Sequence, residues 1–355
     1  MLLHNRVDKR ILKQQMEESE EKRTTLSFYN YARIDDPNTT RDQLYLDWSK
    51  FNVLGRVYLA QEGINAQINV PEDKFEAFKA YLNEVPFLKG VRLNIAVEKD
   101  KKSFYKLKIK VRTKIVADGL EDDSFDVSDR GKHVNAEEFN RLTDDPNTIV
   151  VDMRNHYESE VGHFENAILP DVDTFRDALP IVNETLQPYR DRNIIMYCTG
   201  GIRCEKASAY FKHLGFKNVH QLEGGIIKYA HEVKEKGLPN KFKGKNFVFD
   251  ERLGERISDE VISHCHQCGK ACDTHTNCRN DACHLLFIQC DECAKKYDNC
   301  CSNECKTFVN LPEEDQKTLR KQYQQKRNVF RKGRVDQLEN HWLKDAPLIK
   351  NQAHD

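Results

Sequence analysis

The chain has 355 residues, 39% of them hydrophobic and 32% charged, more than one compact domain needs and enough apolar mass for two or three cores. Lys and Arg number 56 against 57 Asp and Glu, so the formal charge of -1 excludes a globally basic nucleic-acid binder and makes any cationic surface local. No run approaches the roughly 18–20 apolar residues of a membrane span, and the opening MLLHNRVDKRILKQQMEESEEKR lacks the apolar stretch of a secretory signal, so a cytoplasmic protein without a membrane partner is expected.

Residues 1–24 read as a polar helical arm. From 25 to 116 the pattern turns β-prone. TLSFYNYARI is a strand, and TTRDQLYLDWSKFN is an amphipathic helix with Thr39 or Thr40 as its cap. GRVYLAQ and NAQINVP are strands meeting around Glu62-Gly63, followed by the helix EDKFEAFKAYLNEV and the strands RLNIAVE and FYKLKIKVRTKIV. A βαββαβ order predicts a ferredoxin-like (acylphosphatase-like) α+β domain. In its last strand Lys106, Lys108, Lys110, Arg112 and Lys114 alternate with Leu107, Ile109, Val111, Thr113 and Ile115, which puts five cations on one face. Two readings stand: a charged edge that discourages aggregation, or a stripe that binds RNA phosphates. No acidic residue is interleaved to relieve the repulsion.

Residues 117–145, opening with the acidic ADGLEDDSFDVSDR, are expected to be a linker. Between 146 and 240, strands such as NTIVVDMR, NIIMYC and NVHQLEG alternate with helical stretches, the pattern of a parallel α/β domain. Cys198 closes the strand NIIMYC and is followed by Thr199, Gly200, Gly201, Ile202 and Arg203 at the start of a helix. Two glycines let successive amides turn on one point, and a helix N-terminus behind them lowers a thiol pKa. Arg203 adds a cation whose planar fork suits an oxyanion or a sulfur anion. Cys198 is therefore the candidate nucleophile, with Arg203 as its catalytic partner and Thr199, Gly200, Gly201 and Ile202 as the active-site loop. Cys204 reads as helix packing, with a resolving thiol as the alternative.

Ten of the twelve cysteines fall between Cys265 and Cys305, in a module spanning 241–310. In a reducing compartment such crowding points to metal rather than disulfides. The CxxC pairs Cys265, Cys268 and Cys290, Cys293 are expected to form one site. Cys272, Cys278, Cys283, Cys300, Cys301 and Cys305 remain for a second, with His264, His266, His275 and His284 nearby. Structural zinc at two sites is the expected occupant; one zinc with spare thiols, or an iron–sulfur cluster, are the alternatives. Residues 311–355 read as a basic, partly ordered tail, with eight cations between Lys317 and Arg334 and the aromatics Tyr323 and Phe330.

Four segments resemble a rhodanese domain: Asp152-Met153-Arg154, Gly162 to Ala167 (GHFENA), Cys198 to Arg203 and Leu222 to Ile226 (LEGGI). In such domains the loop cysteine carries a persulfide, and the positions of Asp152 and Arg154 mainly order the sheet and loop. The four residues between Cys198 and Arg203 resemble the sulfurtransferase loop; related phosphatases have one more, which leaves a phosphatase as a weaker alternative. Over about residues 3–310, SFYNYARI, GRVYLAQEGINAQI, RNHYESEVGHFENA, YCTGGIRCEKASAY, EGGIIKYA, GKNFVFDERLGERISDE and HCHQCG together resemble the tRNA wobble-uridine hydroxylase family. That resemblance implies tRNA as partner, molecular oxygen as co-substrate and 5-hydroxyuridine as product. No iron triad, flavin fingerprint or nicotinamide loop stands in the sequence to activate oxygen. A sulfur-based route has the Cys198 thiolate or persulfide adding to C6 of uracil, with Arg203 and the loop amides steadying the charge. The competing readings are a rhodanese sulfurtransferase passing persulfide sulfur from a donor to a small acceptor or carrier, and a non-catalytic RNA-binding protein stabilised by zinc.

Overall fold

Alternation along the strands decides which face of the first sheet is covered. In the computed structural model, residues 7–99, 103–120, 125–323, 332, 333 and 338 are described. Helix α1 (Lys9–Glu18) leads to β1 (Arg23–Tyr31), α2 (Pro37–Lys50), β2 (Leu54–Ala60), β3 (Gly63–Pro71), α3 (Phe75–Glu84), β4 (Asn94–Ile95) and β5 (Leu107–Val111). The sheet order is β4-β1-β3-β2-β5, with β5 parallel to β2 at one edge. Leu26, Phe28, Val57, Leu59, Ile64, Ala66, Ile68, Leu107 and Ile109 pack against Trp48 of α2 and Phe78 and Leu82 of α3. Both helices thus lie on one face, as in the ferredoxin-like sandwich, and the other carries the polar half of each strand. Helix α2 starts earlier than its sequence pattern implies. Asp36 Oδ1 accepts from the amides of Asn38 and Thr39 at 3.0 and 3.1 Å, making Asp36 the cap in place of Thr39 or Thr40. Pro37, lacking an amide hydrogen, suits the first turn.

The second sheet absorbs part of the expected linker. β6 (Lys132–Val134) and α4 (Ala136–Thr143) fall inside 117–145, yet β6 pairs with a later strand, so the parallel unit begins near residue 131 rather than 146. A three-residue strand reading Lys-His-Val gives no periodic signal to find. The unit continues through β7 (Thr148–Asp152), α5 (His156–Ser159), β8 (Gly162–Phe164), α6 (Phe175–Leu186), β9 (Asn193–Tyr197), α7 (Ile202–His213), β10 (Asn218–Leu222) and α8 (Gly225–Lys236). Its sheet order is β6-β10-β9-β7, every pair parallel. On β9, Ile194 and Met196 pack with Leu179, Val182 and Phe211, while Ile195 and Tyr197 pack with Phe139, Ile226 and Tyr229. Helices therefore cover both faces, as the buried apolar strands require.

β11 (Phe242–Asn246) lies antiparallel to β8 and to β12 (Glu255–Arg256), fastening the cysteine-rich module to the rhodanese-like part. The hairpin β13 (His275–Asn277) and β14 (Leu286–Ile288) is followed by α9 (Asp291–Lys296), α10 (Asn303–Val309) and α11 (Glu313–Tyr323). Among the described residues no helix is long and apolar enough to cross a membrane. Phe330 and the tail cations Lys326, Arg327, Arg331 and Arg334 lie outside the described residues.

Candidate active site and metal centres

β9 ends at Tyr197, so Cys198 sits at the carboxyl edge of a parallel sheet, where α/β folds place their ligands. The amide of Gly201 donates to Cys198 Sγ at 3.2 Å. Gly201 has φ 102, and a Cβ there would come within 2.7 Å of the Tyr29 hydroxyl, so both the backbone and the space demand glycine. The loop carbonyls are held from behind. Ile226 N–H donates to Cys198 O at 3.1 Å and Ile227 N–H to Thr199 O at 3.2 Å. A Cβ on Gly225 would lie 2.4 Å from Cys198 O, which explains the paired glycines of LEGGI. Asn94 Nδ2 donates to Gly200 O at 3.1 Å from the first sheet. With its carbonyls clamped, the loop turns its amides toward the sulfur. Burial pushes the Cys198 thiol up, but a hydrogen bond from the Cys204 thiol, the charge of Arg203 and the amides of Cys204 and Gly201 outweigh it and lower it to about 6. Cys204 itself is pushed well above the ordinary thiol range by burial and by its bond to Cys198. It is packed in the helix and is also a donor to Cys198 Sγ.

Arg203 stands beside the sulfur with its fork already engaged. Its two terminal nitrogens donate to Glu158 Oε1 and Oε2 at 2.6 and 2.8 Å, and Glu158 is fully buried. The expected open fork for an oxyanion is thus replaced by a bidentate ion pair. Glu158 also accepts from the Asn155 amide at 3.1 Å across the turn of α5. Asp152 and Arg154 form a second buried pair: Arg154 donates to Asp152 at 2.9 and 2.7 Å and to Gly162 O at 2.6 Å. That pair ties the end of β7 to β8 and does not line the cavity beside Cys198.

Cys198 is only 1% exposed, yet it lines a cavity of about 280 Å³. The loop residues Thr199, Gly200 and Ile202 form one wall and the helix-free face of the first sheet another, with Ser27, Arg56, Tyr58 and Gln67; Phe104 and Phe249 also line the cavity. The sulfur is therefore withdrawn from bulk solvent but open to a small guest. Sheet and loop are pinned together. Tyr29 Oη donates to Glu205 at 2.9 Å and Tyr31 Oη to Ile202 O at 3.2 Å. Lys206 bridges Glu62 at 2.5 Å and Asp118 at 2.6 Å. The cationic stripe is shorter than its sequence pattern. β5 ends at Val111, and Lys114 turns inward to Asp118 at 2.8 Å and to the Leu120 carbonyl. Lys108 and Lys110 are exposed beside Arg56 and Tyr58 in register, Arg112 is exposed near the Tyr58 ring at 5.9 Å, and Lys106 is half-buried. Glu158, Asn94, Tyr29, Glu205 and the cavity-lining part of the first sheet were not anticipated. Only Glu158 had a local signal, the Asn-x-x-Glu of a capping box.

Two groups of four sulfurs are brought together: Cys265, Cys268, Cys290 and Cys293, and Cys278, Cys283, Cys301 and Cys305, the ligand atoms of each group lying within 4.8 Å of one another. Cys272 and Cys300 stand outside both, as do His264, His266, His275 and His284. The separations fit a metal. A tetrahedron with zinc–sulfur bonds of about 2.3 Å has edges of about 3.8 Å. Cys268–Cys290, Cys283–Cys301 and Cys301–Cys305 are each 3.7 Å apart. Backbone amides supply the outer support: Cys290 N–H to Cys265 Sγ and Cys301 N–H to Cys278 Sγ, both at 3.4 Å.

Comparison with known proteins follows the same division. Residues 23–115 match the UPF0176 acylphosphatase like domain, 135–232 the rhodanese-like domain and 243–306 the rhodanase C-terminal family. A protein of Pectobacterium carotovorum named tRNA uridine(34) hydroxylase is 55% identical over 353 residues, 99% of this chain and 99% of that protein. Proteins of the same name from Cronobacter sakazakii and Photorhabdus laumondii are 57% and 56% identical over 334 residues, 94% of this chain and 96% and 95% of theirs.

Proposed function

The chain belongs to the tRNA uridine(34) hydroxylase family, and from that premise we propose that it is a cytoplasmic, oxygen-dependent oxidoreductase converting the wobble uridine of tRNA to 5-hydroxyuridine, with Cys198 as the nucleophile. The observation that carries the reading is a thiol lowered to about 6 at the wall of a 280 Å³ cavity, a space suited to a single extruded base. Free thiols near 8.5 are mostly protonated at neutral pH, whereas this one is mostly thiolate.

The Cys198 sulfur, as thiolate or persulfide, adds to C6 of uracil. The C5–C6 π pair moves through C5 to O4, and the electron-rich C5 then meets the oxidant. Loss of the C5 proton expels the sulfur and restores the double bond. One atom of molecular oxygen enters at C5; the other leaves as water at the expense of a two-electron donor. Gly201 N–H and the Cys204 thiol steady the sulfur anion before attack and after expulsion. Arg203, compensated by Glu158, lowers the thiol pKa and fixes the loop. Zinc in the two cysteine tetrads would be structural: their eight ligands are all protein sulfurs, which leaves no open coordination position for substrate.

The test is nucleoside mass analysis of tRNA from a bacterial strain lacking its own uridine 34 hydroxylase, complemented with this chain or with Cys198→Ser. Restoration of 5-hydroxyuridine by the first and not the second is expected. Full hydroxylation by Cys198→Ser would remove the nucleophilic role. Unmodified tRNA together with Cys198-dependent thiocyanate formation from thiosulfate and cyanide would favour the sulfurtransferase reading.

A further inference from the structure

The helix-free face of the first sheet carries two parallel rows that each run from a hydroxyl through an amide to a lysine and differ at the third place, a guanidinium in one and a phenol in the other. Through the register of β1, β3, β2 and β5, one cross-strand row reads Ser27, Gln67, Arg56, Lys108 and the next Tyr29, Asn65, Tyr58, Lys110. Each row begins at the Cys198 loop. Ser27 Oγ is 3.7 Å from where a Cβ of Gly200 would stand, and the Tyr29 hydroxyl is 2.7 Å from that of Gly201. Neighbouring strands are about 4.8 Å apart. Moving outward from the loop, the first row thus presents a hydroxyl, then an amide, then a guanidinium, all within roughly 10 Å.

The two rows differ in what is already committed. Asn65 donates its amide to Ile115 O at 3.2 Å. Gln67 and Arg56 line the cavity with no hydrogen-bond or ion-pair partner among the described residues. An amide and a guanidinium side by side match half of the edge on which uracil carries N3–H between the acceptors O2 and O4, and of those two oxygens only O4 receives the charge when a nucleophile adds to C6. N3 and C6 are opposite corners of the pyrimidine ring. An amide holding N3–H therefore turns C6 away from the sheet, toward the wall where Cys198 stands.

Resting on the uridine reading above, we propose that Gln67 accepts from N3–H of the bound uracil and that Arg56 is a catalytic residue, donating to O4 and stabilising the enolate that forms when Cys198 adds to C6. The step is balanced without an external reactant: an S–C6 bond forms, the C5–C6 π pair comes to rest on O4, and no electron leaves the pair of reactants. The enolate needs a cation that is not already neutralised. Arg203 is paired with Glu158 through both terminal nitrogens, whereas Arg56 is exposed and has no ion-pair partner among the described residues. The same sheet that builds the cavity therefore supplies its anion stabiliser.

The adduct can be read without oxygen. Reversible addition at C6 lets solvent deuterium replace hydrogen at C5, so the full-length protein is incubated anaerobically in D₂O with an anticodon stem-loop RNA bearing uridine at position 34, and C5 deuteration is followed by mass spectrometry. Arg56→Ala is expected to slow exchange about 100-fold or more, the loss typical of one oxyanion donor. Its affinity for the RNA should fall by less than about fivefold, the share of one phosphate-range cation. Arg56→Lys should recover part of the rate. With 3-methyluridine at position 34 the wild type should bind at least about fivefold more weakly, the cost of an unmet hydrogen bond, and Gln67→Ala should erase that difference. Wild-type exchange rates in Arg56→Ala, a methyl penalty retained by Gln67→Ala, or no exchange in the wild type would each overturn the proposal. Hydroxylation in the complemented strain scores the functional reading separately, so an active wild type with any of these results fails only the roles given to Arg56 and Gln67. Both side chains project from a paired strand outside the core, and an unchanged Cys198 alkylation profile verifies the fold.

Discussion

At the scale of single residues, the site is a charge arrangement assembled around one sulfur. Arg203 and the donors Cys204 and Gly201 favour the thiolate, while burial opposes it. Cys198 alkylation by iodoacetamide should therefore inflect near pH 6 rather than the 8.5 of a free thiol. The sign follows directly: a group whose pKa is lowered stays anionic down to that pH, so reactivity is lost as pH falls through about 6. Arg203→Gln should move the inflection upward. It also strands a buried carboxylate, which costs about 3–5 kcal/mol when a partner is removed. Arg203→Gln with Glu158→Gln should regain much of that stability in a thermal melt while keeping the raised inflection. If the double variant titrates like the wild type, the charge of Arg203 is not what lowers the thiol. Arg203 and the loop were readable from the sequence because glycines and cations next to a strand-end cysteine have few other uses. Glu158 was readable at most as the capping-box partner of Asn155, because nothing in NHYESEV says that Arg203 folds onto it.

At the scale of elements, local patterns were readable where a period or a spacing forces them. The two CxxC pairs meet in one tetrad as their spacing suggests, but which of six further cysteines form the second depended on how the chain returns after β14 through α9 and α10. Helix α10 brings Cys305 one turn after Cys301, at 3.7 Å. Cys300 lies beside Cys278 but directs its thiol to the Asp298 carbonyl and stays out of the group of four. Elemental analysis of the purified chain should find two zinc ions. Cys268→Ser and Cys283→Ser should each lose one of them, and Cys272→Ser and Cys300→Ser none. Loss of metal in Cys300→Ser comparable to that in Cys283→Ser would show that the second tetrad has been drawn from the wrong thiols. Because ligation supplies folding free energy that a small apolar cluster lacks, removing metal with a chelator should open the module to protease between Cys265 and Cys305 before the rhodanese-like part is cut.

At the scale of the whole molecule, the cavity exists only because the helix-free face of the first sheet meets the loop at the carboxyl edge of the second, and sheet order is what a sequence reads worst. Nothing in LKIKV says that β5 lies beside β2, or that the face bearing Lys108 and Lys110 continues through Arg56 and Gln67 to the loop around Cys198. The contact that sets this geometry converges on Glu205. Its carboxylate receives Tyr29 from the first sheet at 2.9 Å, and from its own side Arg130 at 3.2 Å, His133 at 3.0 Å and Gln221 at 3.2 Å. Those partners hold Glu205 below the ordinary glutamate range against the cost of burial. Glu205→Ala removes the hub and leaves the Tyr29 hydroxyl unmet, while the loop amides, Arg203 and Glu158 stay in place. The sheet should then part from the loop more often without the thiol changing its acidity. A bulky maleimide should gain access to Cys198 several-fold in Glu205→Ala, iodoacetamide much less, and the alkylation inflection should remain near pH 6. Equal acceleration of both reagents would mean that the loop itself has loosened. No acceleration of either would place the cavity's rigidity in the bridge from Lys206 of α7 to Glu62 and Asp118, ion pairs of 2.5 and 2.6 Å.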